Sequence, residues 1–232
     1  MRERTGRTFA ARLSLLVFLV LEIALFPKVQ ESTADVWSYT AYLSVILVVI
    51  FAIFVCRCKG AEHFIKLGLL LTLVADYFLV IEDNSHLLGV ETFLLVQLAY
   101  FVYLLFREER ASVRFANFLT RILLCGVLLF AAYVTLGGDV DTLSLVSAVY
   151  YANLLTNIFF AFMLGRKEMI FAIGLTLFAL CDLCVGIESL AYFYLDTDIS
   201  RFFYTDSFNL SWLFYQPSQV LMALGLYKKS VE

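Results

Sequence analysis

Two aspartates lie inside apolar stretches of the chain. Asp76 follows GLLLTLVA, and Asp182 follows GLTLFALC. A carboxyl group within a lipid bilayer is costly unless it is paired, protonated or solvated by a cavity, so each residue predicts a functional site. Two such groups could work together as an acid and a base, because burial and a neighbouring carboxylate favour a proton on one of them. The alternative is a packing role, in which each Asp accepts hydrogen bonds from Tyr or Asn on neighbouring helices.

The stretches that carry these aspartates resemble each other. LGLLLTLVADYFLVIE (67–82) aligns with IGLTLFALCDLCVGIE (173–188), and both contain the Asp and a later Glu. The preceding YLSVILVVIFAIFVCR (42–57) also aligns with YANLLTNIFFAFMLGR (151–166). Repeats with an even number of spans have the same orientation in the membrane and are related by an axis along its normal. The pattern therefore predicts an internal duplication that brings the two aspartates to equivalent depths.

The composition indicates that lipid surrounds the elements that position these residues. Hydrophobic residues make up 62% of the 232 residues and charged residues only 16%, whereas a soluble domain has about 25% charged residues. A spanning helix needs roughly 20 mostly apolar residues. On that scale the sequence predicts eight transmembrane helices, at about 9–26, 36–56, 64–82, 87–106, 115–136, 142–164, 169–190 and 206–227.

These spans define the predicted fold class, an all-α integral membrane protein. We expect a single transmembrane domain over residues 1–232, built of two parallel four-helix repeats at about 9–106 and about 115–227. FLLVQ (93–97) resembles WLFYQ (212–216), which extends the duplication to the last helix of each repeat.

The basic residues predict the orientation in the membrane. Of the 17 Lys and Arg, only Lys28 and Arg201 fall on one side of the predicted topology, where the turns carry Asp and Glu instead. The positive-inside rule then places both termini in the cytoplasm. The short connections favour a bacterial inner membrane, although a protein of the endoplasmic reticulum could share them. The net charge of -3 indicates little about partners, because the two signs of charge are sorted to opposite faces. No soluble nucleic-acid partner is expected. The other fifteen are Arg2, Arg4, Arg7, Arg12, Arg57, Lys59, Lys66, Arg107, Arg110, Arg114, Arg121, Arg166, Lys167, Lys228 and Lys229.

The Asp-containing motifs resemble the YhhN family, the membrane-embedded lysoplasmalogenases. GLLLTLVAD and its repeat GLTLFALCD are similar to that family's two Asp-containing helices. FLLVQLAY (93–100) is similar to the family's fourth helix and YQPSQVLMALG (215–225) to its last, with Tyr100, Tyr215 and Gln219 at matching positions. The span count and the charge polarity also agree with the family.

The resemblance implies a membrane hydrolase that cleaves the vinyl ether bond of lysoplasmalogens. Its substrate would be a lyso-ether phospholipid in the bilayer, and its products a fatty aldehyde and a glycerophospho-alcohol. Asp76 and Asp182 would be the catalytic acid and base, in roles that the sequence does not assign individually. Hydrogen bonds to substrate or water would come from Gln97, Tyr100, Tyr151, Asn153, Tyr215 and Gln219.

The chain departs from the family pattern at several positions. Ala75 and Cys181 precede the two aspartates, where the family commonly has Gly and Ser. Gln97 stands where the family usually carries His, and a Lys expected near the start of the second helix is absent. Gln cannot take up and release a proton near neutral pH as His can. Two alternatives therefore stay open: a proton-coupled transporter or lipid-binding protein, and a divergent member of the family without catalysis.

Other polar residues indicate less. Asn153 and Asn157 share one face of a helix and predict interhelical hydrogen bonds, while Glu22 lies near a helix end, where reaching the outer interface is one interpretation. Cys181 and Cys184 fit small-residue packing better than a metal site. The sequence has no phosphate-binding Gly-rich loop, Ser-His-Asp arrangement or metal-ligand cluster, so we expect neither cofactor nor metal. The sequence patterns do not indicate whether the protein is a monomer or an oligomer.

Overall fold

Long helices make up nearly all of the described chain. The computed structural model describes residues 2–31, 36–194 and 209–231. Short non-α segments follow three of the helices: a π-helix at Tyr77–Glu82 and 3-10 turns at Gly137–Asp139 and Gly165–Lys167. The helices are α1 (Arg2–Gln30), α2 (Trp37–Phe54), α3 (Glu62–Asp76), α4 (His86–Arg107), α5 (Ala111–Leu136), α6 (Thr142–Met163), α7 (Met169–Tyr194) and α8 (Leu210–Val231).

The helices have the length and composition of a multi-pass membrane protein. Seven of them, α1 to α7, are long and apolar enough to cross a bilayer. Helix α8 is of similar length but has no stretch as apolar as those of the other seven, and the start predicted for it at 206 lies outside the described residues. The eighth span and the two-repeat organisation therefore stay predictions, whereas the all-helical membrane architecture is confirmed.

The helix ends form two faces of the bundle. One face, which we call the basic face, joins the end of α4, the start of α7 and the end of α8 through contacts of Arg107 and Lys229 with Glu168. At the opposite face, the start of α8 lies beside the end of α1, where the Asn209 N–H donates to the Gln30 carbonyl over 3.2 Å. Successive helices thus run in alternating directions.

Close helix contacts hold the interior together. The most extensive pairings are α7 with α8 and α3 with α4. Gly68 allows the second of these, because a Cβ built on it would lie 2.1 Å from Cε1 of Tyr100. Helix α6 begins at a capped end, where the Asp141 carboxylate accepts from the Ser144 N–H over 2.7 Å and from its hydroxyl over 2.6 Å. These bonds lower the pKa of Asp141.

We expect Gly68→Ala to destabilise the protein by about 1–3 kcal/mol, the typical result of inserting a methyl group into a packed interior. The new methyl group would displace the Tyr100 ring, which is fully buried. Gly126→Ala is the matched control, because nothing lies within 4 Å of a Cβ at that helical position. It should be stabilising by up to about 1 kcal/mol through helix propensity. Thermal unfolding of both variants in detergent measures the difference, and equal melting temperatures would contradict this account.

Helix α5 lies at the edge of the bundle and packs chiefly on α6. Its only buried residues within the described chain are Asn117 and Arg121, while Phe115, Phe118 and Phe130 are among its exposed side chains. The sequence pattern predicted that Arg121 lies at the same membrane face as the other basic residues. That placement is wrong: the residue lies ten positions into α5, about 15 Å of helix rise from Ala111, and is buried.

Candidate active site

Asp76 ends α3 and faces the interior of the bundle. Its side chain is 3% exposed, and its Oδ2 accepts a hydrogen bond from the Tyr215 hydroxyl of α8. The helix changes from α to π winding directly after this residue and ends at Asp83 in a left-handed conformation with φ of 53°. Short π segments inside helices are frequent at functional sites, since they redirect side chains. The distorted winding therefore marks the position of Asp76.

Asp182 lies in α7 and has a similar partner. Its Oδ2 accepts a hydrogen bond from the Tyr150 hydroxyl of α6, and its side chain is more accessible than that of Asp76. The neighbouring Tyr151, predicted as a substrate ligand, donates instead to the Ala179 carbonyl of α7 over 3.5 Å. Each carboxyl group is thus held by a phenol from another helix.

A row of aromatic rings connects the two Asp–Tyr pairs. The ring centroids are 6.1 Å apart for Tyr150 and Phe93, 5.3 Å for Phe93 and Phe178, and 5.6 Å for Phe178 and Tyr215. The carboxylate of Asp182 is close enough to act electrostatically on Asp76 and on Tyr215. The two acids therefore belong to one region of the interior, bordered by aromatic rings.

The two Asp–Tyr pairs are not equivalent in the aligned sequences. Tyr215 aligns with Val96, and Tyr150 aligns with Ala41, so neither phenol has a counterpart that can donate a hydrogen bond. Asp76 of α3 accepts from a tyrosine of α8, whereas Asp182 of α7 accepts from a tyrosine of α6, the helix that precedes its own. The two carboxyl groups consequently have different surroundings, as an acid and a base would need.

Other polar atoms lie in the interior near Asp76. Gln219, one turn after Tyr215 on α8, donates to the Ser218 hydroxyl over 3.4 Å, while its Oε1 is buried without a partner. The hydroxyls of Tyr100 and Thr72 are neighbours but form no hydrogen bond of normal geometry. A buried polar group without a partner is destabilising, so these atoms are candidates for contact with water or a bound ligand.

Gln97 and Asn153 lie in a different cluster. Asn157 donates to the carbonyl oxygen and to Oε1 of Gln97, over 2.9 and 3.0 Å. Asn153 accepts from the guanidinium of Arg121 through Oδ1, and Asn157 accepts from the same group over 2.8 Å. The prediction that Asn153 and Asn157 form interhelical hydrogen bonds is confirmed. Neither Asp76 nor Asp182 is among the hydrogen-bond partners of Gln97 or Asn153.

Glu22 of α1 is another buried acid, and its environment was not apparent from the sequence. The interpretation that it reaches the outer interface is wrong, because its side chain is 3% exposed. Its Oε2 accepts from the Ser44 hydroxyl over 2.6 Å and from Nε2 of Gln216 over 2.8 Å. The clue in the sequence was only a single Glu in an apolar segment, without a repeated counterpart.

Comparison with known proteins assigns the family of the chain. No curated protein sequence and no solved structure matches it. The model of the YhhN family matches residues 37–226, which include both Asp–Tyr pairs and the aromatic row between them. The protein is therefore a member of the YhhN family.

Proposed function

We propose that this protein is a hydrolase that cleaves the vinyl ether bond of lysoplasmalogens within the membrane. The observation that carries the proposal is the pair of intramembrane carboxyl groups, each bound by a tyrosine and joined by a row of aromatic rings. An apolar surrounding suits the alkenyl chain of such a lipid, and two unequal acids suit its chemistry. Membership of the YhhN family agrees with this assignment.

The chemistry requires one proton donor and one activated water. A carboxylic acid protonates the alkenyl carbon that is β to the ether oxygen, which leaves an oxocarbenium ion at the carbon bonded to oxygen. The second carboxylate removes a proton from water as the water attacks that carbon, giving a hemiacetal. Collapse of the hemiacetal releases the fatty aldehyde and the glycerophospho-alcohol. Asp76 and Asp182 supply the acid and the base as a coupled pair.

The substitution of Gln97 for the family's usual His is compatible with this mechanism. Gln97 is bound to Asn157 and, through it, belongs to the cluster around Arg121. Position 97 thus supplies no group that titrates near neutral pH, while both aspartates keep their tyrosine partners. The remaining polar residues near Asp76, Tyr100 and Gln219, are the candidates for binding the glycerol or the attacking water.

The test is the reaction of the purified protein with a lysoplasmalogen in D2O. We expect free aldehyde that carries one deuterium at the carbon next to the carbonyl, because the acid delivers a solvent-derived proton there. The saturated alkyl-ether analogue should release nothing, since it has no double bond to protonate. Absence of aldehyde from active preparations would contradict the proposal. Proton-dependent lipid uptake into proteoliposomes without aldehyde would instead support a carrier.

We expect Tyr215→Phe and Tyr150→Phe each to lower kcat for aldehyde release by about tenfold to a hundredfold. Each change removes a hydrogen bond to a catalytic carboxyl group, which contributes about 1.5–3 kcal/mol when that group is ionised, and leaves the carboxyl free to rotate. Tyr133→Phe is the control, because this tyrosine is 66% exposed on α5. Steady-state kinetics of the three variants measure the effect. Wild-type rates in both site variants would show that the tyrosines do not position the acids.

A further inference from the structure

Arg121 is a buried cation without an anionic partner among the described residues. Its side chain is 6% exposed, and its guanidinium lies 4.0 Å from the ring centroid of Phe101. All of its hydrogen-bond acceptors are neutral, and its Nε is buried without an acceptor. These acceptors are the side-chain oxygens of Asn117, Asn153 and Asn157 and the carbonyl oxygen of Asn153.

A groove next to this cluster leads to the basic face. It lies between α4, α5 and α6 and is open to the surroundings. The inner part of the groove is bordered by Asn117, which is 3% exposed, and the outer part by the exposed Arg114. Leu104 and Phe160 are among the apolar side chains of its walls. The groove thus combines an apolar lining with a basic entrance.

Asn117 connects the groove to the buried charge. Its Oδ1 accepts from Nη2 of Arg121 over 3.3 Å, and its amide donates no hydrogen bond within the described chain. Glu108 also borders the groove, but its carboxylate is occupied by Arg110, with Nε and Nη2 each 2.9 Å from one of its oxygens. Arg114 forms no ion pair within the described residues. Arg114 and Asn117 thus border the groove with side-chain donors that have no acceptor within the described residues.

We propose that this groove binds the phosphate of an anionic glycerophospholipid from the surrounding leaflet. The phosphate lies between Arg114 and the amide of Asn117 and compensates the charge of Arg121 behind it. One acyl chain starts along the apolar walls and continues over the exposed surface of α5. A buried cation is expensive without a counter-charge, and arginine and amide donors suit phosphate oxygens. This site is separate from the aspartate pair and does not depend on the proposed hydrolysis.

Thermal unfolding of the purified protein in a neutral detergent tests the site. We expect phosphatidylglycerol to raise the melting temperature saturably, because it binds the folded state. Diacylglycerol and inorganic phosphate, at the same concentration, should raise it little or not at all. An equal effect of diacylglycerol would overturn the proposal in favour of an apolar groove. An equal effect of inorganic phosphate would overturn it in favour of a site for free phosphate.

Two variants assign the effect to this groove. Arg114→Gln should weaken phosphatidylglycerol binding by about tenfold, the loss expected for one charge-assisted hydrogen bond. Arg57→Gln, which removes an exposed charge in the turn between α2 and α3, should leave binding unchanged. Asn117→Asp supplies an internal anion for Arg121, so it should raise the melting temperature without lipid and abolish the response to lipid. Equal binding by wild-type and Arg114→Gln protein, or a lipid response retained by Asn117→Asp, would refute the site.

Discussion

Asp76→Asn is expected to lower aldehyde release from lysoplasmalogen by about 10²- to 10⁴-fold, the usual contribution of a general acid or base. Asn has nearly the shape of Asp and can still accept from the Tyr215 hydroxyl through its amide oxygen. What it loses is the ability to give or take the proton that the reaction moves. The effect should therefore appear in kcat and leave folding intact, which initial rates and thermal unfolding of the same preparation can establish.

Asp182→Asn should have an effect of the same order, and the double variant should be little worse than either single variant, because residues that act as a unit are not additive. Asp139→Asn is the control, since this aspartate lies exposed in the 3-10 turn after α5. Full activity in either single variant would refute a catalytic pair. Lysoplasmalogen turnover by wild type and all four variants, measured at equal protein concentration, distinguishes these outcomes.

Glu168→Gln is expected to destabilise the protein by about 3 kcal/mol, as removal of one partner from a buried ion pair commonly does. Glu168 is 1% exposed and accepts from the Tyr103 hydroxyl over 2.5 Å, from Nε of Arg107 over 3.0 Å and from the ammonium of Lys229. An amide in its place would leave Lys229 without an anion and Arg107 with only the carboxylate of Glu62, 3.7 Å away, and it would loosen α4, α7 and α8 at the basic face.

A double variant that also removes the ammonium of Lys229 provides a second way to examine this prediction. Glu168→Gln with Lys229→Met should recover part of the lost stability, because the buried ammonium is removed together with its partner. Glu109→Gln is the control, since that side chain is exposed in the turn between α4 and α5. Chemical or thermal unfolding in detergent gives the three free energies. If Glu168→Gln unfolds like wild type, the cluster does not hold the helix ends together.

Much of the fold was accessible from hydropathy and charge. Each described helix agrees with a predicted span to within a few residues at most ends, because polar turns interrupt the apolar runs sharply. The residues that join the helices at the basic face, Arg107 and Lys229, belong to the predicted basic clusters. The two aspartates were also identified, since a carboxyl group is conspicuous in an apolar helix.

The rotation of each helix could not be predicted, and with it the choice of partners. In a membrane the lipid-facing side of a helix is as apolar as the core-facing side, so periodicity does not reveal which side is buried. Neighbouring residues on a helix point about 100° apart, which is why Tyr151 was selected although Tyr150 binds Asp182. Arg121 was misplaced for a related reason, because counting basic residues near a turn ignores how far a residue extends into the next helix.

The long separation between each buried acid and its donor has a consequence for biogenesis. Asp76 and Tyr215 are 139 residues apart in the chain, and Glu22 and Gln216 are 194 apart. Synthesis proceeds from the N-terminus, so α1 and α3 enter the bilayer well before α8 exists. A ribosome that stops before residue 215 therefore releases a product with two acids that lack these donors, and such a product is a natural substrate for membrane quality-control proteases.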